Sequence, residues 1–179
     1  MGLHDEFEDV VLAVSDLDFT TCSLGELNLF ETNIRYLGGL LAAYDLSERK
    51  YPILLQKAVE LGQMLYKAFD TPNRMPITRW DFRAAGRDEP QEAGDNVLVA
   101  EIGSLTLEFT HLSQLSNDSR YFDAVQRIMD VFDAQQDQTK LPGMWPIIVN
   151  TKTLNFHDFS GFTIGGMADS LYEYLPKVS

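Results

Sequence analysis

Leu29-Phe30-Glu31-Thr32-Asn33-Ile34-Arg35-Tyr36-Leu37-Gly38-Gly39-Leu40-Leu41-Ala42-Ala43-Tyr44-Asp45-Leu46-Ser47 carries one periodicity from end to end. Phe30, Ile34, Leu37, Leu41 and Tyr44 recur every three or four residues, the spacing that lines one face of an α-helix. A helix from Asn28 to about Leu46 is therefore predicted, stopped by the polar run Ser47 to Lys50. The opposite face holds Glu31, Arg35, Gly38 and Ala42, so a charged pair leads into a groove of small residues. Gly38 and Gly39 each cost a helix about 1 kcal/mol against alanine. The space they leave is expected to be needed by a neighbour.

Outward from this segment the chain reads as helical hairpins. Phe7, Val10, Val11 and Val14 mark a short amphipathic helix before it. Pro52 to Phe69 marks a second long helix after it, with proline in the first turn, where a missing N–H costs nothing. The Gly-, Pro- and charge-rich stretch to Asp95 is a long connection with a short strand at Ile77 to Phe82. A second hairpin follows, Val97 to about Leu115 and Tyr121 to about Gln135, and its turn repeats the first: Leu46-Ser47 then Tyr51, Leu115-Ser116 then Tyr121. Trp145 to Asn150 reads as another short strand, and a last helix begins near Gly165. The fold class is all-α, a toroid or solenoid of stacked hairpins with small strand pairs in the connections.

Three places could carry chemistry. Glu31 and Arg35 stand one turn apart, which on pattern alone is an ordinary surface pair worth a few tenths of a kcal/mol (about 0.3). Glu101, Ser104, Glu108 and His111 form a polar stripe on the second hairpin, which reads as a solvated face or, if the helices line a ring, as the wall of a shared cavity. Asp169 lies near the start of the last helix, where an acid complements the helix dipole.

Composition narrows the function classes. Fourteen Lys plus Arg against 27 Asp plus Glu give a net charge of −13, which repels a phosphate backbone, so no nucleic-acid partner is expected. The single cysteine, Cys22, makes no intrachain disulfide, and no Cys/His spacing suits a zinc site, so no metal ligand is assigned. No signal-peptide pattern or 18-residue apolar run is present. Asn117-Asp118-Ser119 fits the N-glycosylation acceptor pattern.

The segment from Leu29 to Ser47 also resembles the hallmark of glycoside hydrolase family 47, the class I α-1,2-mannosidases. So do Ala68 to Pro72, Ala100 to Phe109 and Gly165 to Leu175, in the family's order. The resemblance implies part of an (α/α)7 barrel, with residues 1–179 a single partial domain of it. It implies inverting hydrolysis of terminal α-1,2-linked mannose from high-mannose N-glycans, in the endoplasmic reticulum or Golgi lumen. Such chemistry needs a protonated acid and an ionised base roughly 6.5–9.5 Å apart, with room for water.

By the same resemblance Glu31 is the general acid, Asp169 an active-site acid and candidate base, Arg35 a glycan contact, and Glu101 and Glu108 substrate-binding carboxylates. A further glutamate and the threonine that holds Ca2+ in the complete domain have no counterpart in this chain. The chain by itself is therefore expected to be inactive and to self-associate. A non-catalytic mannose- or glycoprotein-binding relative is the alternative, and a helical scaffold without a sugar site is a third.

Overall fold

The computed structural model describes residues 2–23, 25–87 and 89–178. After α1, His4–Ser15, comes a strand–helix–helix–strand unit. Its parts are β1 Leu27–Asn28, α2 Leu29–Thr32 running through a π-helical turn Asn33–Leu37 into α3 Gly38–Leu46, α4 Pro52–Tyr66 with a 3-10 turn Lys67–Phe69, and β2 Arg79–Trp80. A short helix, α5 Phe82–Gly86, leads to a second such unit: β3 Val97–Leu98, α6 Val99–Gly103, α7 Thr106–Ser116, α8 Ser119–Gln135 and β4 Ile148–Val149. α9, Asp169–Val178, follows.

The two units match down to single hydrogen bonds. Leu27 pairs with Trp80 and Asn28 with Arg79 in one antiparallel clip, Val97 with Val149 and Leu98 with Ile148 in the other. In each, the first helical N–H donates to the residue before the second strand: Leu29 to the Thr78 carbonyl at 2.9 Å, Val99 to that of Ile147 at 2.8 Å. The expected hairpin repeat is present, and the all-α class holds. β2 and β4 fall inside the two expected strands, whereas β1 and β3 were read as helix starts. A two-residue strand has no periodicity to detect.

Three helical runs lie side by side in a front layer, α2–α3, α6–α7 and α9, with α4 and α8 behind them. The first two run parallel, since Asn28 meets Glu101, Asn33 meets Glu108 and Asp45 meets His111 in matching order. Between the layers one contiguous core runs through the chain. Phe109 sits against Phe69 and Tyr121 at centroid distances of 5.4 and 5.9 Å, and Phe132 against Trp145 and Phe156 at 5.5 and 5.3 Å. Each buried ring or leucine stabilises by about 1.5–3 kcal/mol over exposure.

The first long helix departs from its expected apolar face. Leu37 and Leu41 are buried as predicted, but upstream the buried residues are Leu29 and Asn33, while Phe30 and Ile34 are only half-buried and outside the core. The π turn is the cause. It closes with the Gly38 N–H on the Asn33 carbonyl, five residues back, so it takes up one extra residue and shifts the inward register by one position.

The glycines Gly38 and Gly39 also differ from expectation. A Cβ at Gly39 would meet nothing within 4 Å, and one at Gly38 only ordinary contacts at 3.5 Å from Glu108. The crowded glycines are elsewhere: at Gly62 a Cβ would lie 2.2 Å from Leu112 Cδ2, and at Gly103 2.3 Å from Leu171 Cδ1. The helix read as continuous from Val97 breaks at Ser104 (φ −116, ψ 46), next to Gly103. α9 starts at Asp169, because Gly165 to Ala168 form a turn in which the Gly165 carbonyl accepts from Ala168 and Asp169, with Met167 at φ 73.

Candidate active site

The helix starts of the front layer gather the acids. Glu31 is the third residue of α2, Glu101 the third of α6, and Asp169 the first of α9, so each occupies a first turn where the unpaired N–H groups favour negative charge. The start of α9 is tied to that of α6 by the Ala100 N–H on the Met167 carbonyl at 3.2 Å. The two units and α9 thus present one acid each at the same end of the layer.

The three acids have different surroundings. Glu101 is buried, and its Oε1 accepts from Arg79 Nη2 at 2.7 Å and Asn28 Nδ2 at 3.2 Å. Those donors are cross-strand partners in β1 and β2, so the strand clip of the first unit delivers both onto the acid of the second. Asn28 also caps α2, accepting the Glu31 N–H at 3.0 Å, and so joins the Glu31 turn to Glu101.

In the second unit the corresponding strand pair is Leu98 and Ile148, which have no polar side chains to offer the acid that follows. Asp169 is accordingly exposed, and it makes no ion pair among the described residues. Its Oδ1 accepts only the neighbouring Ser170 N–H, at 2.9 Å. Glu31 is half-buried and bonded to Arg35 Nε at 2.5 Å, both side chains being open to solvent. The structure therefore pairs one of the three acids, the buried Glu101, with the exposed Arg79 and leaves Glu31 and Asp169 accessible.

Glu108, one of the expected substrate contacts, lies further along. Oε2 accepts from Asn33 Nδ2 at 2.8 Å and Oε1 from the Tyr174 hydroxyl at 2.9 Å, so this carboxylate ties the three front helices together. Burial first, and then the Glu108 charge, push the Tyr174 phenol well above its ordinary range. Beyond Glu108, His111 Nε2 meets Asp45 Oδ2 at 2.5 Å, and that bond holds the Asp45 carboxyl below its ordinary value. Glu108, Asp45 and His111 line a cleft of about 520 Å3 with Gly38, Leu107 and Lys177.

Asn28, Asn33, Arg79 and Tyr174 were missed by the sequence reading. Asn28 and Arg79 could be found only by pairing two strands separated by a whole hairpin. Asn33 was hidden by the register shift of the π turn. Tyr174 lay inside one of the quoted blocks but gave no sign of its partner.

Comparison with known proteins agrees with this architecture. The model of glycosyl hydrolase family 47 matches residues 1–179. Mannosyl-oligosaccharide 1,2-alpha-mannosidase IB of Mus musculus is 38% identical over 179 residues, 99% of this chain and 27% of its own length. The endoplasmic reticulum mannosyl-oligosaccharide 1,2-alpha-mannosidase of Homo sapiens is 37% identical over 178 residues, 24% of its length. The chain thus spans about a quarter of these relatives. The solved alpha-1,2-mannosidase from Trichoderma reesei superposes with a TM-score of 0.80 at 34% identity, covering 97% of this chain and 38% of that one. The stacked hairpins are thus part of an (α/α)7 barrel, and the chain belongs to glycosyl hydrolase family 47.

Proposed function

We propose that the complete protein containing these residues removes terminal α-1,2-linked mannose from high-mannose N-glycans, with inversion, in the lumen of the endoplasmic reticulum or Golgi. The observation that carries this is the pair of accessible acids, Glu31 and Asp169, at equivalent helix starts on either side of the neutralised Glu101. The names of the relatives support the substrate class.

Glu31 gives the proton to the leaving oxygen, and Asp169 is the acid on this chain able to act on water. An ionised Glu31 held by Arg35 has no proton to give. The acid role therefore requires the pair to open with substrate bound, which frees the guanidinium donors of Arg35 for sugar hydroxyls. Glu101 and Glu108 act from behind, holding the front helices in place, and any contact they make with sugar comes on top of those bonds.

Among the described residues no three His, Cys, Asp or Glu side chains group closely enough to share a metal. The Ca2+ that the family resemblance implies is assigned to residues outside these 179, and no step here runs through it. On its own, the 179-residue chain is inactive by this reading and self-associates through exposed apolar side chains such as Leu12 and Leu46.

The test is Glu31→Gln in the complete protein. The amide keeps the shape and cannot donate a proton, so kcat on an α-1,2-linked mannobiose should fall by about 100-fold or more with KM little changed. Equal loss of binding and turnover would assign Glu31 a structural role. Binding of mannose by the unmodified protein without any turnover would favour a glycan-binding relative.

A further inference from the structure

The turn between α7 and α8 carries Asn117-Asp118-Ser119. Asn117 follows α7 in the left-handed region, φ 55 and ψ 36, where asparagine and glycine are the favoured residues. The backbone around it is held from both sides. The Asn117 and Asp118 N–H groups both donate to the Ser113 carbonyl, and the Ser113 hydroxyl donates to the Asp118 carbonyl at 2.8 Å. Asp118 caps α8 by accepting the Arg120 N–H, and its carboxylate takes the Arg120 guanidinium at 2.6–3.0 Å. That guanidinium lies over the Tyr66 and Tyr121 rings, 5.5 and 5.9 Å from their centroids.

Against this fixed frame the Asn117 side chain is exposed and makes no hydrogen bond among the described residues. Helix capping accounts for Asn117 and Asp118. It does not account for a hydroxyl at position 119, because Asp118 is the cap and Ser119 is the first residue inside α8, exposed, with only a 3.4 Å contact from its hydroxyl to Asp123.

We infer that Asn117 is an N-glycosylation acceptor, modified by an oligosaccharide from a lipid-diphosphate-linked donor. The inference rests on the lumenal location proposed above. Nδ2 of Asn117 bonds to C1 of the first sugar, and the bond from C1 to the diphosphate oxygen breaks. The lipid diphosphate leaves with that electron pair, the amide proton passes to solvent, and nothing is oxidised or reduced. Ser119 supplies the hydroxyl that the transfer requires two residues on. The placement suits a bulky hydrophilic group. α7, with 11 residues, spans about 16 Å, so the glycan stands at the opposite end of the front layer from Glu31, Glu101 and Asp169 and leaves the acids open.

The test expresses the complete protein in glycosylating eukaryotic cells and scores two readouts. One is protection from added protease inside sealed microsomes; the other is mass spectrometry of the Asn117 peptide after enzymatic deglycosylation. The expected result is a protected protein whose Asn117 is converted to Asp by deglycosylation. Asn117→Gly, which keeps the left-handed turn, and Ser119→Ala should each abolish that conversion without lowering the melting temperature of the deglycosylated protein, while Ser119→Thr should retain it. A protected protein with unmodified Asn117 overturns the inference and leaves the lumenal reading standing. An unprotected protein overturns both.

Discussion

Tyr174 and Asp45 show how single side chains at the helix contacts set limits on stability at both ends of the pH scale. Asp45 has its folded pKa below the ordinary 3.8, chiefly through the His111 bond, and Asp118 likewise through Arg120. Groups depressed in this way contribute stability that is complete above the unfolded pKa and lost as pH falls through the folded one, so the loss sets in below about pH 4. Tyr174 works in the opposite direction. Its raised pKa means that the folded chain keeps a proton the unfolded chain releases, so stability falls as pH rises past about 10. Denaturant midpoints followed across pH should form a dome. Asp118→Asn should flatten its acid side and Tyr174→Phe its alkaline side; unchanged flanks in both variants would show that these bonds are not made in solution. None of these pairings was legible in the sequence. Residue type could be read for Glu31, Arg35, Glu101, Glu108 and Asp169, and the local Glu31–Arg35 pair with it, but the partners of Glu101 and Glu108 come from other elements, 22 to 75 residues away. Whether Glu101 is free or neutralised therefore depends on a strand register that no local pattern encodes.

At the scale of elements, the π turn decides which face of the first long helix looks inward. Period counting succeeded from the last residue of the turn onward, at Leu37 and Leu41, and failed at Phe30 and Ile34, before and inside it, by one position. The failure is informative, because a one-residue slip is what a single i to i−5 closure produces. Deleting the exposed Tyr36 should restore a regular α-helix and turn everything upstream by about 100° relative to α3. Leu29 and Asn33 would leave the core and Asn28 would lose its place beside Glu101. The deletion should therefore cost several kcal/mol, about 3 or more, in line with a removed core leucine together with a broken buried polar contact. A thermal melt by circular dichroism measures it. A variant as stable as the parent would mean that the helix absorbs the deletion elsewhere and that the π turn has no structural role. β1, β3 and α5 escaped the sequence reading for a different reason, being too short to carry a period at all.

For the molecule as a whole, the residual apolar surface is the feature with the most direct physical consequence. Leu3, Val10, Leu12 and Leu46 are 56, 57, 67 and 86% exposed. The first three lie on or beside α1, which borders a groove against α3 of about 810 Å3 lined by Phe7, Val10, Ala43, Leu46 and Tyr51. Contiguous apolar surface of this kind favours association. Sedimentation of the 179-residue chain should give an average mass that climbs with concentration, and Leu12→Glu with Leu46→Glu should return it to a monomer; a concentration-independent monomer in the parent would refute the self-association. The repeated strand clip has a further consequence, in time rather than in space. Leu27 meets Trp80, and Val97 meets Val149, each within its own unit, so contacts close locally and each hairpin can settle soon after it leaves the ribosome. The acids, in contrast, belong to the first unit, the second unit and α9 in turn. Glu31 is in place when the first hairpin closes, Glu101 is neutralised only once the second unit docks on the first, and Asp169 arrives last. The chain therefore acquires its fold progressively during synthesis, whereas the row of acids exists only after both units and α9 have been made and joined.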